Sequence, residues 1–93
     1  MKKYTARLPP EVESFIRRLH PQVKTKIRNA LEEIETNPDA GKPLRERLEG
    51  LWSYRVSRYR IVYEIQRSEI LVNVVDIDER KIIYEKVAAL LKK

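Results

Sequence analysis

The 93-residue chain has no cysteine. That removes disulfides, thiolate metal ligands and a cysteine nucleophile in one step, and it fits a reducing cytoplasmic setting. It has one histidine, His20, so the familiar pairing of two histidines as general acid and base is excluded. Only two glycines occur, Gly41 and Gly50, and a glycine-rich phosphate loop cannot be built from them. Apolar runs last a few residues, far short of the roughly 20 that a membrane span needs. No apolar stretch follows Met1-Lys2-Lys3-Tyr4, so no signal peptide is expected. Asp76, Asp78 and Glu79 are close in sequence but alternate in direction, and no His or Cys joins them. Neither a metal site nor a cofactor is therefore expected.

Positive charge is abundant. Twenty Lys and Arg against 14 Asp and Glu give a net charge of +6. Each half of the chain, residues 1–50 and 51–93, carries +3 (11 basic against 8 acidic, then 9 against 6), so the charge is spread over the fold and is not a detached tail. A basic domain attracts polyanions, nucleic acid first among them, although +6 could also serve solubility alone. The apolar share of 42% suffices for one core in one domain spanning residues 1–93.

The pattern predicts an α+β fold: an N-terminal strand, a two-helix hairpin, a three-stranded antiparallel meander and a short C-terminal helix. The first strand is expected over residues 3–8, ending at Pro9-Pro10. Val12, Phe15, Ile16 and Leu19 make one face of a helix from about Pro10 to Leu19. His20-Pro21 breaks it. A second helix, about Pro21 to Thr36, carries the stripe Val23, Ile27, Ala30, Leu31 and Ile34. The period then changes to two. Trp52, Tyr54 and Val56 point one way, Ser53 and Arg55 the other; Tyr59, Ile61, Tyr63 and Ile65 oppose Arg58, Arg60, Val62 and Glu64. Ile70–Ile77 is apolar on both faces, with Ile77 expected beside Leu71 and Val75, and reads as a central strand. The chain is expected to leave the sheet over 76–80, and Ile83, Val87 and Leu90 give the last helical stripe.

One sheet face should pack on the hairpin and leave the other free. On that free face lie Arg55, Arg58 and Arg60. Like charges so close gain nothing without an anion between them, and a phosphodiester suits guanidinium forks. The plainer alternative is a solvated face paired to Glu64 or Glu69. Arg80 and Tyr84 are four residues apart, on one helical face. A cluster of guanidinium groups and a phenol fits RNA cleavage, because RNA carries its own nucleophile in the 2′-hydroxyl. The plainer alternative for Tyr84 is a half-buried hydroxyl covering the sheet. His20, in the break between helices, reads as structural.

The segments Gly41-Lys42-Pro43-Leu44, Leu48 through Ile65, and Val74 through Asp78-Glu79-Arg80-Lys81 to Tyr84 resemble the RelE/ParE toxin superfamily of type II toxin–antitoxin systems. The likeness extends over nearly the whole chain, and Leu51–Ile65 is its most specific part. It implies a metal-independent endoribonuclease, an mRNA interferase, that enters the ribosomal A site, cuts messenger RNA and arrests translation. It also implies a cognate antitoxin that blocks the toxin in a hetero-oligomer. By position, Arg60 matches the strand arginine at the scissile phosphate, Arg55 a basic residue on the preceding strand, Arg80 the basic stretch after the last strand, and Tyr84 a tyrosine near the chain end. These four are the catalytic candidates. Arg58, Lys81, Arg45, Arg47 and Lys42 are the candidates for RNA contact.

There are departures. Glu79-Arg80-Lys81 stands where relatives have His-Arg-Arg, Asp78 stands on ground that is basic in active members, Ser57-Arg58 replaces a Gly-Asp turn, and Ser53 replaces a lysine. They bear on catalytic power, not on fold. The resemblance therefore leaves two alternatives to the ribonuclease: a ParE-like toxin that binds DNA gyrase, and a weakened member that keeps only antitoxin binding. An exposed apolar strip on the last helix, with Ile82 and Leu91, is expected to be where an antitoxin lies.

Overall fold

In the computed structural model, which describes residues 3–92, a five-stranded sheet carries two helices on one face and one on the other. The elements are β1 (Thr5–Arg7), α1 (Pro10–Arg17), α2 (Pro21–Thr36), β2 (Lys42–Pro43), β3 (Leu51–Val56), β4 (Tyr59–Gln66), β5 (Leu71–Glu79) and α3 (Arg80–Leu91). The sheet order is β1-β5-β4-β3-β2. β1 runs parallel to β5, and the other pairs are antiparallel. The architecture is the α+β arrangement that the sequence predicts, with the short edge strand β2 added.

Local chemistry explains the helices. Each of α1 and α2 begins with a proline at its first position, where the missing N–H is no loss. His20 caps α2: its Nδ1 accepts from the Gln22 amide at 3.2 Å. The histidine is thus occupied in holding a helix start. α1 stops at Arg17, two residues short of expectation, and Leu19 still packs against the core from the connecting turn.

The main core lies between the sheet and the α1–α2 hairpin. Val12, Ile16, Ile27, Ala30, Leu31 and Ile34 meet Val56, Tyr59, Ile61, Tyr63, Val72, Val74 and Ile77. A smaller cluster, Leu51, Val62, Ile83 and Val87, joins α3 to the opposite face. That face is therefore partly covered by α3 and not free, because Ile83 and Val87 are one helical turn apart and both fully buried. Leu90, expected in the same stripe, is 45% exposed and borders an open recess with Val75, Asp76 and residues of α1.

Three further expectations are corrected. Tyr63 pairs with Val74 while Val62 pairs with Asp76, so two residues of β5 oppose one of β4 and Val75 sits in a bulge. The extra residue reverses the alternation. Ile77 joins Val72 and Val74 in the main core, and Asp76 and Asp78 turn toward α3. The chain does not leave the sheet at Asp76–Ile77 as expected, because the strand runs on to Glu79. The Asp76 and Asp78 carboxylates accept from the next amides, Ile77 and Glu79, both at 2.8 Å. Arg58 lies in the two-residue turn between β3 and β4, not on the strand, with Ser57 at φ 56. Among the described residues no helix is long and apolar enough to cross a membrane.

Candidate active site

Three elements converge on the α3 side of the sheet. β3 presents Ser53 and Arg55 there, two residues apart and so on one face. β4 presents Arg60, directly opposite Arg55. α3 presents Arg80 at its first position and Tyr84 one turn later. The start of α3 is fixed by a backbone hydrogen bond, Arg80 N–H to Arg58 C=O at 2.9 Å. The helix is thereby tied to the same hairpin turn that aligns Arg55 with Arg60.

These side chains line a groove of about 680 Å³, with Lys42 and Gly41 on its far wall. A second recess of about 550 Å³ adjoins it at one end; it shares Arg55, Arg60 and Arg80 and adds Arg58, Lys81 and Glu79. Together the two are lined by six cationic side chains and one carboxylate. Among the described residues no carboxylate makes an ion pair with Arg55, Arg60 or Arg80. Asp78 is the cross-strand neighbour of Arg60, yet its carboxylate turns to Lys86, whose Nζ lies 3.1 Å from both Asp76 and Asp78. Burial works against the Lys86 ammonium, but Asp78 and Asp76 more than offset it and raise its pKa.

Arg60 is held in place by backbone oxygens. Its guanidinium donates to the Tyr59 carbonyl at 3.0 Å and to the Ser57 carbonyl at 3.4 Å. Arg58 lies over the Tyr59 ring, 5.5 Å from its centroid, and the Tyr59 phenol, then Glu79, raise its pKa. Tyr84 is hydrogen-bonded to Ser53, Oγ to phenol oxygen 2.9 Å. The site thus offers unneutralised guanidinium groups beside a paired hydroxyl and phenol. This arrangement can bind a phosphate, stabilise added negative charge on it, and pass a proton.

The far wall depends on a close approach. A Cβ on Gly41 would lie 2.5 Å from the Tyr63 hydroxyl and 2.8 Å from the Ser53 carbonyl oxygen. Tyr63 is fully buried and donates to the Pro38 carbonyl at 2.6 Å, pinning the turn at Pro38–Ala40 onto the sheet. Burial pushes the Tyr63 phenol up to about 12; the Gly41 amide works against that, and Asp39 and Tyr54 add to it.

All four catalytic candidates, Arg55, Arg60, Arg80 and Tyr84, therefore come together, with Lys42, Arg58 and Lys81 at the margins. Arg45 and Arg47 line neither recess; Arg45 precedes and Arg47 lies within the short turn Glu46–Leu48, and both are exposed. Sequence reasoning missed the Ser53–Tyr84 bond, the close approach at Gly41 and the place of Glu79 in the groove wall. A chain with only two glycines did carry a signal for Gly41. Nothing in the spacing could have paired two hydroxyls 31 residues apart. Among the described residues no group of three His, Asp or Glu side chains could hold a metal ion.

Comparison with known proteins sets this geometry beside that of others. Residues 3–84 match the family model described as ParE toxin of type II toxin-antitoxin system, parDE. No curated protein matches the chain. Among solved structures, a chain of a RelBE toxin–antitoxin complex from Mycobacterium tuberculosis superposes with a TM-score of 0.75 and 28% identity, over 84% of this chain and 99% of that one. A mutant Escherichia coli RelE toxin in the free state gives a TM-score of 0.74 at 22% identity, over 99% and 98% of the two chains. A YoeB/ParE toxin from Agrobacterium tumefaciens gives 0.70 at 21%, over 82% and 98%. The last two likenesses speak to the fold alone.

Proposed function

The chain belongs to the ParE family, within the RelE/ParE superfamily of type II toxin–antitoxin toxins, and from that premise we propose that it is an endoribonuclease cutting messenger RNA in the ribosomal A site. The observation that carries this reading is the convergence of Arg55, Arg60 and Arg80, without carboxylate partners, on a groove that also holds the Ser53–Tyr84 pair.

The chemistry suits such a site. The 2′-oxygen attacks the adjacent phosphorus, and the bond from phosphorus to the 5′-oxygen breaks. Negative charge builds on the non-bridging oxygens between these events, and fixed guanidinium groups stabilise it more than they stabilise the starting diester. The hydroxyl proton passes to water or to a phosphate oxygen. The Tyr84 phenol, oriented by Ser53, gives a proton to the departing 5′-oxygen. No metal is required by this scheme, because the substrate supplies the nucleophile. The scheme asks the protein for alignment above all, and an open groove leaves part of that alignment to the ribosome. Arg45, Arg47 and the charge spread over the fold serve the docking.

A cognate antitoxin is the proposed regulator. The toxin relatives from Mycobacterium tuberculosis and Escherichia coli are known in complexes with antitoxins. On α3, Ile82, Leu90 and Leu91 remain 48%, 45% and 51% exposed. Ile82 and Leu91 lie about half a turn apart around the helix, so this surface wraps the end of α3 and is not a single strip. Substituting Asp at Ile82 and Leu91 should weaken capture of the antitoxin.

The deciding test is cleavage on programmed ribosomes by wild type, Arg60→Ala and Arg60→Lys, with melting curves to establish that each is folded. Wild type should cut in the A site, Arg60→Ala should lose about 10²-fold or more, as removal of one charge-stabilising donor does elsewhere, and Arg60→Lys should recover part. Growth arrest by a wild type that cuts no RNA would transfer the toxin to a gyrase-type target, which the ParE family name favours. Neither cleavage nor arrest would leave a protein that keeps only its antitoxin surface.

A further inference from the structure

β2 is only two residues long and pairs with Trp52 and Ser53 alone. The remainder of β3, Tyr54 to Val56, has no strand on its outer edge. Over that open edge the main groove continues. Tyr54 and Arg55 line it on one side, and the same two residues line a further recess of about 370 Å³ on the other, between β3 and α2, closed by Lys26, Asn29 and Glu33. Tyr54 is half-buried. It packs against the main core and borders both recesses. The surface beyond the arginines is thus an aromatic ring at a sheet edge, then a polar pocket with a lysine on it.

We propose that Tyr54, Lys26, Asn29 and Glu33 form a nucleotide subsite beside the reacting phosphate, so that a single strand of RNA crosses the β3 edge instead of ending at the arginines. This rests on the RNA reading of the groove and deepens it. The strand's phosphate sits at Arg55 and Arg60. The neighbouring base lies on the Tyr54 ring, as unpaired bases do on aromatic side chains. Glu33 would repel a phosphate but accepts from a base amino group, and Asn29 both donates and accepts, so the recess takes a base. Lys26, exposed on α2, takes the next phosphate.

The test is binding of a fluorescent hexanucleotide, 2′-O-methylated so that it cannot be cleaved, at low salt. Lys26→Glu and Tyr54→Leu should each weaken binding about five- to tenfold, the loss of one stacked base or one phosphate contact. Tyr54→Phe, which keeps the ring, should bind as wild type does. Arg17→Glu makes the same charge change on α1, away from the recess, and should bind nearly as wild type does. Equal losses from Lys26→Glu and Arg17→Glu would reduce the effect to net charge and overturn the subsite. Unchanged binding by Lys26→Glu and Tyr54→Leu, with binding still lost in Arg60→Ala, would overturn the subsite and leave the RNA reading standing. A wild type that does not bind the strand at all would overturn both.

Discussion

Arg55 and Arg60 stand directly opposite each other on neighbouring antiparallel strands, where side chains begin about 4.5–5.5 Å apart. Such a pairing of like charges costs the folded protein stability unless an anion intervenes, so the site is organised at the fold's expense.

That cost is measurable. Replacing Arg55 with Gln should raise the stability of the free protein by a few tenths of a kcal/mol, up to about 1. The gain should shrink in high salt, which screens the repulsion already. The same substitution should lower RNA cleavage. Denaturant midpoints at low and high salt, beside cleavage rates, check both halves. A variant that loses stability would show that Arg55 is held by contacts other than those seen.

Gly41→Ala tests the far wall. The new methyl would meet a buried phenol and a strand carbonyl, and neither can move without breaking the Tyr63–Pro38 hydrogen bond or the β2–β3 pairing. Overpacking of this kind costs about 1–3 kcal/mol. A drop in melting temperature, with poorer cleavage from a displaced Lys42, is expected. An unchanged melting curve would mean that the turn at Pro38–Ala40 is free to shift.

Most of this fold was legible from the sequence, and what was not has a physical reason. Period-three-to-four stripes fixed α1 and α2 because each helix buries a single face. Period two marked β3 and β4 because α3 leaves their second face half polar at Ser53, Arg55 and Arg60. β5 could not be read so well. It is apolar on both sides, and a bulge at Val75 leaves no mark in a run of Val and Ile. β2 was invisible, since two residues make no period. Of the site, alternation and helical spacing singled out Arg55, Arg60, Arg80 and Tyr84, and a resemblance over Leu51–Ile65 and Val74–Tyr84 gave them roles, while their convergence depends on α3 folding back over the sheet, a tertiary fact.

Alkaline pH gives a second probe of the same wall. Burial raises the Tyr63 phenol to about 12, against about 10 in the unfolded chain. The folded protein keeps this proton where the unfolded chain releases it. The contribution is therefore complete below pH 10 and is lost as pH rises toward 12, amounting to roughly 2–3 kcal/mol at most. Unfolding midpoints of wild type should fall more steeply across pH 10–12 than those of Tyr63→Phe. Parallel slopes would remove Tyr63 as the cause.

Lys86 holds the carboxylate of Asp78, which stands across the strands from Arg60. The bulge at Val75 turns Asp76 and Asp78 to the α3 face, where both carboxylates are mostly buried, with 12% and 18% side-chain exposure. Asp78 is the cross-strand neighbour of Arg60 and would neutralise it if released. Lys86→Met should therefore act twice. It removes the cation shared by two largely buried carboxylates, at a cost of about 1–3 kcal/mol, and it frees Asp78 to pair with Arg60, which should weaken RNA binding. The two effects separate in the double variant Lys86→Met with Asp78→Asn: RNA binding should recover because no carboxylate remains to swing onto Arg60, while stability recovers only in part because Asp76 still lacks its partner. If the double variant binds RNA as poorly as Lys86→Met alone, the loss comes from a loosened α3, and the carboxylate is not what Lys86 restrains.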